Sequence, residues 1–257
     1  MRHTMKELAL MPAMAADVNG QPWARELVES ITRWGIDGAP IPNPLPGRDP
    51  LRLRSAAELA GEYQQRAKQV GLNQAVALLI EDQARWNAGT GFVTGMGGFV
   101  FLPFQLPAAI TATWVIQTRM VAAIAALYGF DLNHEAVRTL ILLTLIGEEA
   151  GELLKQVGVK ASQQFAQAQL RRLPAAALEA INRAVGLRLV TKFGHKGLVN
   201  LHKAIPVLGG VVGGGIDYLM TKQLGGYADR SLSPRRPGGL GEEDVIDVEV
   251  IETEARH

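Results

Sequence analysis

Apolar residues recur at helical three- and four-residue intervals along most of the chain, and no stretch alternates strand and helix as a βαβ unit would. In "QPWARELVESITRWG" the positions Trp23, Leu27, Ile31 and Trp34 form one stripe, which predicts a short amphipathic helix. "APIPNPLPGRDP" follows, where five prolines in twelve residues forbid helix and predict an extended strap. Ser55 with Glu58 has the spacing of a capping box and opens a helix through about Val70. A second helix is expected from near Asn73 to a stop at Gly89. Pro103 and Pro107 suit the first turns of a third, running through Tyr128 and ending at Gly129. Asn133 is the expected cap of "HEAVRTLILLTLIGEEAGELLKQVG", with Gly147 and Gly151 allowing a bend or close approach. "PAAALEAINRAVG" starts a helix at Pro174, "RLVTKFGHKGLVNLHKA" a basic one, and "IPVLGGVVGGGIDYLMTKQLGGYADR" the last apolar segment.

Two segments depart from ordinary amphipathic patterning. Trp86 to Thr118 is 33 residues without an ionisable group, and Ala204 to Ile216 is thirteen. The shorter one falls below the roughly 20 residues that a membrane crossing needs. The longer one has the length, but Asn87, Thr90, Gln105 and two prolines interrupt it, and irregular backbone is costly in lipid. It is therefore read first as a buried hairpin of a helical domain, then as a shallow membrane insertion, and last as a span. Gly209 with Gly213 and Gly210 with Gly214 make two small-xxx-small pairs, which let a neighbouring backbone approach. Each glycine costs a helix about 1 kcal/mol relative to alanine, so packing, lipid or a turn must compensate.

Composition supports helix packing over a β-sandwich, because aromatics are only 6% while Ala, Gly and Leu abound. The absence of cysteine excludes disulfides, zinc-thiolate sites and thiol nucleophiles. The net charge of +1 conceals an asymmetry: residues 240–257 hold seven acids and one Arg, leaving 25 bases against 18 acids elsewhere. A basic body suits anionic headgroups, but no basic run or aromatic-basic interleaving favours nucleic acid. The N-terminus has too short an apolar stretch, interrupted by Glu7, for a secretory signal. The expected organisation is a flexible 1–20, an amphipathic helix and Pro-rich strap over 21–54, one mostly α, bundle-like domain over 55–230, and a disordered acidic tail over 231–257.

"GFVTGMGGFVFLPFQLPAAI", "IQTRMVAAIAALYGFDL" and "IPVLGGVVGGGIDYLMTKQLGGYA" occur in that order, and together they resemble the EcsC protein family over about Ser55 to Arg230. The resemblance implies a largely helical bacterial protein, cytoplasmic and acting at the inner membrane. The namesake is encoded beside ABC-transporter components, so such components are the implied partners. It carries over no catalytic residue and no cofactor.

Candidate chemistry is sparse. Glu148, Glu149 and Glu152 sit at spacings a carboxylate site would use, but no His lies three or four residues on, and a solvated face is the preferred reading. No metal is assigned. Asp217 is the only acid between Glu179 and Asp229; Arg119, closing the uncharged stretch, is its chemically sensible partner. A structural pair is preferred over a functional polar centre. His195, Lys192, Lys196, Lys203 and Arg188 make a basic region suited to anion or headgroup contact rather than to a cation. "GTGFVTGMGG" lacks the Lys-Ser/Thr ending of a P-loop, and no G-x-S-x-G occurs. The tail alternates acids with Val and Ile from Asp244 to Ile251 and could add a strand to a partner's sheet, the plainer reading being a solubilising tail. The resulting expectation is a non-enzymatic, membrane-associated accessory protein without cofactor. The alternative is a hydrolase-like enzyme with a polar centre at Asp217 and Arg119, joined by Glu148 or Glu149.

Overall fold

The computed structural model describes residues 28–41, 51–96, 102–156, 173–199 and 206–233. They form a mostly α bundle around one helix. The chain enters through α1, residues 28–32, which continues into a π-helical turn, Arg33–Asp37. Val28, Ile31, Gly35 and Ile36 are buried, whereas Trp34 is half-exposed. The expected tryptophan stripe therefore does not hold through Trp34: the wider π turn shifts the buried face onto Gly35 and Ile36. Trp23 and Leu27 lie outside the described residues. Gly35 is needed for contact, since a Cβ there would stand 2.7 Å from the Thr118 Cβ.

The described ends of the proline strap are extended and pair with each other, and residues 42–50 lie outside the described residues. Ala39–Ile41 (β1) and Leu51–Leu53 (β2) form an antiparallel ladder in the register Ala39 to Leu53 and Ile41 to Leu51. Proline tolerates such an edge. Helix α2, Ala56–Val70, opens with the foreseen capping box: Ser55 Oγ accepts from the Glu58 amide at 3.1 Å, and Glu58 accepts from the Ser55 amide at 2.8 Å.

Helix α3, Leu72–Met96, does not stop at Gly89. A single glycine costs a helix only about 1 kcal/mol, and Gly89 lies exposed with open space beside it. Helix α4, Leu102–Leu127, does end at Gly129, whose φ of +89° is the left-handed geometry of a helix terminator. Helix α5, Glu135–Ile146, is capped by His134 and not by Asn133: the His134 Nδ1 accepts from the Ala136 amide at 3.2 Å. Asn133 instead gives its amide to the Asp131 carboxylate in the preceding turn. At Gly147 (φ +64°) the helix breaks into a 3-10 turn, Gly147–Glu149, and restarts as α6, Ala150–Gln156. Helix α7, Ala175–Val199, joins what the sequence divided at Gly186, and α8, Pro206–Leu232, passes beyond the expected boundary at Arg230.

The core is centred on α4. From Trp114 to Ala125 its side chains are buried without interruption, among the π turn Arg33–Asp37, α2, α3, α5 and α8. Helices α5, α6 and α7 pack as a second group beside it. A helix buried all round suits a bundle centre, and this part of the long uncharged segment is covered by protein. No helix among the described residues is long and apolar enough to cross a membrane.

Candidate functional site

The most extensive helix pair is α3 with α8. On α8, Gly214, Thr221, Gly225, Ala228 and Leu232 are buried at alternating spacings that define one seam. At Gly225 the backbones come close enough that a Cβ would lie 2.6 Å from the Ile80 Cγ2. Asn87 of α3 meets Thr221 further along, so the two helices run antiparallel. Gly209, Gly210 and Gly213, expected to make this approach, fall on the first turns of α8, outside the side chains described. Gly214 is buried. The approach that is visible uses Gly225, a glycine whose role its neighbours in sequence do not announce.

The seam carries two polar clusters. In the first, the Thr221 Oγ1 accepts from Asn87 Nδ2 at 2.9 Å and from Gln117 Nε2 at 3.4 Å, all three residues being buried. This joins α3, α4 and α8 through satisfied groups, as a buried polar contact requires. In the second, Arg119 of α4 is only 2% exposed. Its Nη2 donates to the Gln83 Oε1 at 2.8 Å, and its guanidinium lies 5.1 Å from the centroid of the Trp86 ring. Its Nε–H is buried without a partner. Burial, with the nearby charge of Arg54 acting the same way, pulls the Arg119 pKa down to about 10.

Arg119 and Asp217 do not pair. Arg119 turns toward Gln83 and Trp86, and Asp217 on α8 has no hydrogen bond or ion pair among the described residues. The two residues sit on different helices facing different neighbours, and spacing along the chain does not carry that information. Burial raises the Asp217 carboxyl to about 6. Five residues along α8, Lys222 reaches Glu81 at 2.9 Å, and Tyr218 donates to the same carboxylate at 2.9 Å. Arg85 completes that cluster at 2.8 Å. Bonds from Lys222 and Tyr218 hold the Glu81 pKa below its ordinary value.

The other sequence candidates separate. Glu148 is exposed. Glu149 meets the Arg188 Nη1 at 3.3 Å, and Glu152 approaches Nη2 at 3.8 Å, so the acids clasp α7 to the turn before α6. Arg188 also donates to Gln156, at 3.1 Å, and its guanidinium is engaged within the bundle instead of being free for an external anion. Lys192, His195 and Lys196 fall on the last turns of α7, where side chains lie outside the described residues, as does Lys203. Among the described residues no group of His, Asp and Glu is placed to hold a metal ion. Among the described residues neither a nucleophile beside a base nor an acid–base pair lies around Asp217.

Residues 56–236 match the family model described as the EcsC protein family. The chain belongs to the EcsC protein family. The match takes in α2 through α8, so the family's unit is the bundle itself, with α1 and the β-hairpin preceding it. No curated protein and no solved structure matches the chain.

Proposed function

We propose that this EcsC protein works by binding rather than by catalysis, as an accessory factor docked on the cytoplasmic surface of the inner membrane. The observation that carries the reading is the collection of uncharged helix arms at one end of the bundle. Because α3 and α8 are antiparallel, the end of α3 from Trp86 lies beside the start of α8, which is uncharged to Ile216. Only residues 97–101 separate the end of α3 from the uncharged start of α4. The large apolar side chains exposed at this end are Trp86 (50%), Ile216 (52%) and Leu219 (60%). Exposed tryptophan and aliphatic groups beside uncharged helix arms suit a membrane interface.

The basic end of α7 supports the same orientation. Six residues, 200–205, separate it from α8, so the end of α7 that carries Lys192, His195 and Lys196 ends within about 25 Å of Pro206 at the uncharged start of α8. Lysines beside an apolar surface favour anionic headgroups by about 1 kcal/mol each. In this reading an ABC-transporter component is the membrane partner, and residues 240–257 are the contact for a protein partner.

Flotation of the full chain with phosphatidylglycerol and phosphatidylcholine vesicles tests the proposal. The chain is expected to float with the anionic vesicles at low salt and to be released several-fold by 0.5 M salt, a concentration that shortens the Debye length to about 4 Å. Ile216→Ser with Leu219→Ser should weaken flotation without lowering the thermal midpoint, because both side chains are exposed. Equal partition with and without vesicles would overturn the reading.

A further inference from the structure

A guanidinium taken out of water needs a counter-charge or a full set of acceptors, and isolated buried charges are among the costliest groups a fold can contain. Arg119 has neither. Its contacts are one amide oxygen, that of Gln83, and the face of Trp86; no carboxylate pairs with it among the described residues. The Nε–H is enclosed and vacant. The nearest named charge is that of Arg54, also positive, which is itself engaged with Glu62 at 2.9 Å. Several other arginines of the bundle have acids: Arg138 takes Asp37 at 2.7 Å, Arg66 takes Glu62 at 2.7 Å, and Arg188 takes Glu149. Arg119 is more deeply buried than these and has no carboxylate among the described residues.

The Trp86 indole lies over this group, with 5.1 Å from its ring centroid to the guanidinium carbon, and is 50% exposed. It therefore touches Arg119 on one side and solvent on the other.

We propose that Arg119 is the floor of an oxyanion site, in which a phosphate oxygen enters beneath the Trp86 ring and accepts the vacant Nε–H. Charge-assisted bonds from guanidinium to phosphate are short and roughly twice as strong as neutral ones, and the Gln83 amide holds the fork in place for them. The phosphate comes either from solution or from a lipid headgroup. The headgroup source rests on the membrane reading above, and the site itself does not.

The two sources and the two readings separate in one set of measurements on the full chain. Inorganic phosphate is titrated at constant ionic strength, balanced with chloride, while the thermal midpoint and tryptophan fluorescence are followed. Wild-type protein should show a saturable rise in midpoint and a fluorescence change. Trp86→Phe should lose most of the fluorescence change yet keep the rise in midpoint. Arg119→Met should lose both responses, and Arg119→Lys, which keeps the charge without an Nε–H, should raise the phosphate midpoint at least tenfold. Should Arg119→Met fail to fold, Arg119→Lys and Trp86→Phe decide the matter. A wild-type response no larger in phosphate than in chloride overturns the site, as does a response that Arg119→Lys leaves unchanged. Flotation with phosphatidylglycerol that falls in Arg119→Lys assigns the site to headgroups. A phosphate response with no flotation assigns it to free phosphate and removes the membrane reading while leaving the site standing.

Discussion

Glu81 and Asp217 lie on the same helix pair, one on each partner, and they have opposite surroundings. Glu81 collects Lys222, Tyr218 and Arg85, while Asp217, one residue before Tyr218, collects nothing among the described residues. The difference follows from where the charges are. The α3–α8 seam is laced with ion pairs on the side of Ile80 and Gly225, then enters a region where the chain supplies no ionisable group from Trp86 to Thr118. A carboxylate at that boundary is desolvated by its neighbours and compensated by none of them. Arg119, at the other edge of the same uncharged segment, shares the condition with the opposite sign. Within a turn or two of the same helices, one carboxylate is therefore fully compensated while a second, and the Arg119 guanidinium, have no counter-charge among the described residues.

The largest expected effect comes from closing the seam that both ends share. Gly225→Val places a branched side chain where even a Cβ would lie 2.6 Å from Ile80. A loss of about 2–3 kcal/mol is expected in urea unfolding, the range of overpacked cores, and Ile80→Ala in the same chain should recover part of it. If the single and double variants unfold alike, α3 and α8 do not rely on this contact.

A smaller effect should appear at Asp217, and it has a sign. The folded carboxyl keeps its proton up to about pH 6, whereas the unfolded one releases it near 3.8. The folded state thus binds the proton more tightly, and the stability this brings at low pH is lost as pH rises from about 4 to 6. Asp217→Asn should leave stability at pH 4 unchanged and raise it at pH 7.5 by about 1–2 kcal/mol, below the full value of the shift because the carboxyl retains some of its water. Unfolding curves at the two pH values check this. A variant destabilised at pH 7.5 would mean that the charged form has a partner.

Glu81 should give the smallest change, with the opposite pH dependence. Its pKa is lowered from 4.5, so its contribution is present above that value and is lost as pH falls through the depressed folded pKa. Glu81→Gln should lower the thermal midpoint only slightly at pH 7, less still in 1 M salt, since surface ion pairs are weak and screened. A large, salt-insensitive drop would show that Glu81 organises the seam instead of trimming it.

Helix termini were readable where a local rule acts alone. The Ser55–Glu58 box and the Gly129 stop depend on atoms within one turn, and both stand where spacing places them. Gly89 and Gly186 carry the same residue type yet interrupt nothing, because tertiary packing along α3 and α7 outweighs a local cost of about 1 kcal/mol each. His134 and not Asn133 supplies the capping acceptor, while the Asn133 backbone amide bonds Asp131, and residue preference alone does not resolve which of two adjacent polar residues caps.

The candidate site divides along the same line. Helical periodicity and composition were enough for a mostly α domain, three motifs for its resemblance to the family, and the uncharged runs to mark Arg119 and Asp217 as charges beside apolar stretches and to favour a buried hairpin over a span. Which group each charge would meet was decided only when α2, α3, α4 and α8 packed. The direction in which a side chain leaves its helix depends on rotation and register between helices, and these are fixed by contacts between residues far apart in the chain, such as Ile80 with Gly225. Tertiary packing thus gave Glu81 three donors, left Asp217 with none among the described residues, and turned Arg119 toward Gln83 and Trp86.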